Sequence, residues 1–155
     1  MQFHYDSLHT YEENLMIKVL FVCIHNSARS QMAEALLRKY GSPSFSSTSA
    51  GFEPGVLNPL AVEALKEEAI DISGHETTSV FDLFKEGRLF HYVITVCDES
   101  SSERCPIFPG QAQRIHWSFK DPSSFEGTYE EKLAQTKEVM REIKAAVLEL
   151  IETLR

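Results

Sequence analysis

The stretch from Ile17 to Tyr40 constrains this chain more than any other. Ile17 to Val22 (IKVLFV) is a run of branched and aromatic apolar residues broken only by Lys18, the composition of a strand buried on both faces. The run ends on Cys23, and Arg29 follows six residues later. From Gln31 onward Met32, Leu36 and Tyr40 recur at helical spacing until Gly41 and Pro43 close the segment. Strand, loop and helix in that order predict a βα unit whose loop opens at the carboxyl end of a strand, where ligands sit in parallel sheets.

The same alternation continues along the chain. Phe45 to Ala50 predicts a second strand, the glycines and prolines of Gly51 to Pro59 a loop, and Leu60 to Ala69 a helix. His91 to Val96 (HYVITV) predicts a third strand, again running into a cysteine, Cys97, and Arg114 to Phe119 (RIHWSF) a fourth. Leu133, Val139, Ile143, Val147, Leu150 and Leu154 form an apolar stripe that predicts a closing helix from Tyr129 to Leu154, its acidic side a solvated face. Strands alternating with helices imply an α/β fold with a parallel sheet wrapped on both faces. The 155 residues, 43% of them apolar, suffice for one core and would be cramped as two. If the strands bearing Cys23 and Cys97 are neighbours, as in a flavodoxin-like topology, their separation of about 5 Å suits a disulfide. Trp117 and the phenylalanines are expected in the core, and His75, His91 and His116 at strand or loop ends.

The loop Cys23-Ile24-His25-Asn26-Ser27-Ala28-Arg29-Ser30 has the chemistry of an anion cradle. Consecutive backbone N–H groups and a helix N-terminus present partial positive charge, and the Arg29 fork can grip two oxygens of a tetrahedral anion. That field favours the thiolate of Cys23, and Ser30 can add a hydrogen bond to it. On the residues alone, the alternatives are that Cys23 is a buried strand-end thiol, Arg29 a surface side chain and Asp121, before Pro122, the start of a turn.

The formal charge of −8 opposes nucleic acid and anionic membranes. Residues 1 to 15 carry Asp6, Glu12 and Glu13 and do not read as a signal peptide, and no segment reaches spanning length. A cytoplasmic protein is expected, where thiols stay reduced and cysteines tend to be catalytic, metal-binding or inert. The seven residues between Cys97 and Cys105 exceed the usual spacing of structural zinc pairs, so no metal is assigned and no cofactor is implied.

CIHNSARSQMAEALL resembles the signature loop of the low-molecular-weight tyrosine phosphatase superfamily, which includes thioredoxin-coupled arsenate reductases. The resemblance covers Ile17 to about Leu154, leaving residues 1 to 15 as an extension to a domain of residues 16–155. It implies a four-stranded parallel sheet with flanking helices and binding of arsenate or phosphate by Ile24 to Arg29. By match, Cys23 is the nucleophile, Arg29 the oxyanion clamp and Ser30 the thiolate stabiliser, while Asn26 shapes the loop in a left-handed conformation.

VCDESSSERCPIFPG resembles the redox segment of the reductases, in which the first cysteine (Cys97) attacks the nucleophile's arsenic adduct and the second (Cys105) resolves the disulfide. HWSFKDP matches with Asp121 as the acidic residue, and Ser123 and Ser124 stand where the phosphatases carry tyrosines. The implied partners are the oxyanion and thioredoxin or another thiol reductant, with the protein acting as a monomer. A phosphatase with redox-regulated cysteines is the alternative activity, and a non-catalytic oxyanion or redox sensor a third reading. The chain departs from many relatives in having Ala28 where they carry a loop cysteine, and in its Cys97 to Cys105 interval. Some relatives hold potassium under the loop; Asn26, Glu34 and Ser49 match that site, whereas Glu76 and Thr78 do not.

Overall fold

The computed structural model describes residues 16–98 and 110–155. The 1–15 extension, Cys105 and the serines between the two later cysteines lie outside the described residues. Four strands, β1 (Ile17–Cys23), β2 (Phe45–Gly51), β3 (Tyr92–Cys97) and β4 (Gln113–Ser118), form a parallel sheet in the order β2-β1-β3-β4. The helices are α1 (Arg29–Gly41), α2 (Pro59–Leu65), α3 (Val80–Lys85) and α4 (Tyr129–Leu154), with short 3-10 turns at Lys66–Glu68 and Pro122–Ser124. No helix among the described residues is long and apolar enough to cross a membrane.

Strand β1 is central because both of its faces are apolar. Val19, Phe21 and Cys23 join one core with Met32 and Leu36 of α1, Ala61, Ala64 and Leu65 of α2, and Val139, Ile143 and Val147 of α4. Leu20 and Val22 face the opposite way, into a smaller core with Val80 and Leu83 of α3 and Val93 of β3. The period-2 alternation of a strand thus serves two layers at once. Burying a side chain of this size is worth about 1.5–3 kcal/mol, so the IKVLFV run favours this position over an edge.

Differences from the expected elements follow from local chemistry. The α-helix that starts at Pro59 stops at Leu65 rather than Ala69; it tightens into the 3-10 turn and ends on Ala69 with φ 57°, in the left-handed region. Helix α3 lacks the length to show a period: it has six residues and buries only Val80 and Leu83. The second face is correspondingly thin, and Phe81 and Phe84 are exposed rather than core. Trp117 is half-buried and packs against the larger core, its ring 5.7 Å from that of Phe21. Helix α4 keeps its expected bounds; Val139, Ile143, Val147 and Leu150 of the expected stripe are buried together with Met140 and Ile151, whereas Leu133 and Leu154 are only half-buried.

Candidate active site at the carboxyl ends of the strands

The loop between β1 and α1 is wrapped by the segment that follows β2. The carbonyls of Cys23, Ile24, His25 and Ser27 accept hydrogen bonds from the N–H groups of Phe52, Glu53, Gly55 and Asn58 at 3.3, 2.7, 3.0 and 2.9 Å. In a trans peptide the N–H points away from the carbonyl it follows. Turning these carbonyls outward therefore turns the amides of Ile24, His25, Asn26 and Ala28 inward. The Asn26 N–H shows the direction, donating to Cys23 Sγ at 3.1 Å. No side chain caps α1, and its first turn contains no acidic residue, so the positive end of the helix faces the same space.

Cys23 is a free, buried thiol. Its sulfur lies 2.9 Å from Ser30 Oγ, which in turn accepts from Asn26 Nδ2 at 2.8 Å. With Cys23 as thiolate, the Ser30 hydroxyl is the donor of that pair. Asn26 adopts φ 55°, as expected for a left-handed position, and is fully buried. Such a conformation costs roughly 1 kcal/mol or more in a residue with a Cβ. It is offset by an amide used at both ends: Nδ2 also donates to Ser49 Oγ at 3.0 Å, while Oδ1 accepts from Thr78 N at 2.9 Å and Gln31 Nε2 at 3.2 Å.

Arg29 is 4% exposed; its Nη1 donates to the Phe119 carbonyl at 3.2 Å and its Nη2 lies 3.5 Å from Asp121 Oδ2. Asp121 also starts a turn, because its Oδ1 accepts from Ser123 N at 3.0 Å and caps Pro122–Ser124. His25 points outward, its Nδ1 2.9 Å from the Glu53 carbonyl. Strands β1 and β3 are parallel neighbours, so Cys23 and Cys97 do end adjacent strands. Cys97 is buried and disulfide-bonded. The structure thus brings together Cys23 to Ser30 and Asp121, with Cys97 on the next strand.

The oxygens beneath the loop that match the potassium site of relatives are engaged within the protein. Ser49 Oγ donates to Glu34 Oε1 at 3.2 Å, and Glu34 Oε2 is already faced by Arg38 Nη2 at 3.7 Å and His75 Nδ1 at 3.8 Å. Among the described residues no cluster of three or more His, Cys, Asp or Glu could hold a metal ion.

Sequence reading missed Gln31, Thr78 and Gly51, which hold the loop from outside it. A Cβ on Gly51 would lie 2.8 Å from Asn26 N and from Ile24 O, both backbone atoms. Gly51→Ala should therefore displace the loop, weakening phosphate binding about tenfold and costing roughly 1–3 kcal/mol of stability. Calorimetric titration with phosphate and thermal unfolding check both; unchanged affinity would show that the loop tolerates the shift.

The model of the low molecular weight phosphotyrosine protein phosphatase family matches residues 18–155. An arsenate reductase of Shouchella clausii is 38% identical over 136 residues, spanning 87% of this chain and 95% of that protein. One from Bacillus subtilis is 39% identical over 137 residues, with the same coverage of each chain, 87% and 95%. Among solved structures, an arsenate reductase in its phosphate-binding state superposes with a TM-score of 0.72 at 28% identity, covering 90% of this chain and all of that one. The thioredoxin-dependent arsenate reductase of Corynebacterium glutamicum gives 0.63 at 29% identity, covering 98% of this chain and 70% of that one.

Proposed function

The chain belongs to the low molecular weight phosphotyrosine protein phosphatase family, and we propose that within it the protein reduces arsenate to arsenite. One observation carries this reading: a free thiol, Cys23, sits in an amide-lined loop, and the adjacent strand ends on a second cysteine, Cys97, that is disulfide-bonded. Ester hydrolysis needs only the first of these. Reduction of arsenic(V) to arsenic(III) takes up two electrons, which two thiols supply by becoming a disulfide.

The amides of the loop and the Arg29 guanidinium bind the oxyanion. Cys23 Sγ bonds to arsenic as one arsenic–oxygen bond breaks, and Asp121 passes a proton so that the oxygen leaves as water. Cys97, as thiolate, attacks Cys23 Sγ; a sulfur–sulfur bond forms, the sulfur–arsenic pair stays on arsenic, and arsenite departs. Cys105 then attacks Cys97, releasing Cys23 and leaving a Cys97–Cys105 disulfide. Thioredoxin or another dithiol returns the two electrons. Ser30 and the Asn26 N–H stabilise Cys23 as thiolate in the first step and as leaving group in the last.

The test is arsenate-dependent oxidation of NADPH coupled through thioredoxin reductase and thioredoxin. Release of phosphate from an aryl phosphate at comparable efficiency, with no NADPH consumed, would instead identify a phosphatase. Arg29→Lys should weaken arsenate or phosphate at least about tenfold, since an ammonium keeps the charge but not the two-pronged contact and a charge-assisted pair is worth about 1.5–3 kcal/mol. Equal affinity in the variant and the parent, by calorimetry, would remove Arg29 from the clamp.

A further inference from the structure

The turn that carries Asp121 and the loop that carries Cys23 are tied together through Asn58. The Asn58 backbone N–H donates to the Ser27 carbonyl at 2.9 Å, its Oδ1 accepts from Leu60 N at 2.9 Å as the N-cap of α2, and its Nδ2 donates to Ser123 Oγ at 3.3 Å. Ser123 N in turn donates to Asp121 Oδ1 at 3.0 Å, and Asp121 Oδ2 lies 3.5 Å from Arg29 Nη2. Ser27, Asn58, Ser123, Asp121 and Arg29 close a ring of contacts on one side of the cradle. The cap bond fixes one end of the Asn58 amide, which aims the other at Ser123 and gives the bridge a single width.

We infer that Asn58 is a specificity-determining residue: by bridging to Ser123 it admits a bare tetrahedral oxyanion and obstructs one that carries an aryl group. This rests on the reading of Cys23 as nucleophile and Asp121 as proton donor. A nucleophile attacks in line with the leaving group, and the acid must lie within hydrogen-bond reach of the departing oxygen. A substituent on that oxygen therefore emerges beside Asp121, between its turn and the segment that ends at Asn58, where the bridge runs. Water leaving from arsenate needs no extra room. An aryl group must break the bridge.

The experiment is calorimetric titration of the whole protein with inorganic phosphate and with phenylphosphonate, whose carbon–phosphorus bond is not hydrolysed. Ser123 is exposed and outside α2, and circular dichroism checks that each variant is folded. Ser123→Ala should raise the phenylphosphonate-to-phosphate affinity ratio about fivefold, the weight of one neutral hydrogen bond. Asn58→Ser, which keeps a capping oxygen but lacks Nδ2, should do the same, and Ser123→Thr, which keeps the hydroxyl, should retain the parent ratio. An unchanged ratio in Ser123→Ala, or an equal rise in Ser123→Thr, overturns the gate. Arsenite is not measured, so a shifted ratio in a protein that does not turn over arsenate would sink the reductase reading and leave the gate standing. A folded parent that binds neither anion would overturn both.

Discussion

Cys23→Ser produces no arsenite, with thioredoxin or with any thiol donor, while still binding phosphate. Serine fits the space and can accept from the Asn26 N–H and pair with Ser30 as the sulfur does, so the loop keeps its shape. What it lacks is nucleophilicity: a serine hydroxyl is not ionised at neutral pH as a thiol can be, and it cannot pass electrons through a disulfide. The loss is therefore of chemistry rather than of binding, and the two are separated by pairing a calorimetric phosphate titration with an arsenite assay. Residual arsenite from the folded variant would mean that another cysteine starts the reaction. Loss of phosphate affinity together with turnover would make Cys23 a structural residue of the cradle.

The second large effect is a stall. Cys105→Ser should release about one arsenite per enzyme and then stop, because the resolving thiol of the relay is gone. The trapped species should carry a Cys23–Cys97 disulfide, detectable by peptide mapping after alkylation under acid quench. Cys97 and Cys23 end neighbouring strands, but the register that pairs Val22 with Thr95 leaves Cys97 one residue beyond the position opposite Cys23, so the end of β3 must turn for the linkage to form. Continued multiple turnover on thioredoxin alone, or a mapped linkage other than Cys23 to Cys97, would refute the relay order. In the parent the same mapping after one turnover should find Cys23 alkylated and free, the state in which the structure holds it.

Much of the fold was legible because its strongest signals are local. The IKVLFV run, the helical spacing of Met32, Leu36 and Tyr40, and the stripe from Leu133 to Leu154 each repeat a period long enough to identify an element. Helix α3 was not legible, since its two buried positions cannot establish a period. Nor was the stop at Leu65 foreseen: Lys66 to Glu68 continue a helical composition, but Ala69 turns left-handed and the carboxylates of Glu67 and Glu68 are drawn toward Arg141 and Lys144 of α4. Hydrogen bonds from Arg141 to Glu67 and from Tyr40 to Glu68 hold both carboxyls below the usual range. These are contacts to residues far along the chain, and no window of sequence contains them.

The candidate site divides in the same way. Cysteine, arginine and serine at their spacing in one short loop, followed by a helix, pointed by themselves to an anion cradle at the end of β1, because its donors would be backbone amides and a helix terminus. Only the tertiary structure decided which way the loop faces. The carbonyls of Cys23, Ile24, His25 and Ser27 are pulled outward by the segment after β2, Asn26 is held by Ser49, Gln31 and Thr78, and Gly51 leaves the space that lets the two backbones meet. A peptide's orientation is set by whatever satisfies its carbonyl, and here that partner lies about 30 residues away, beyond the reach of any local motif.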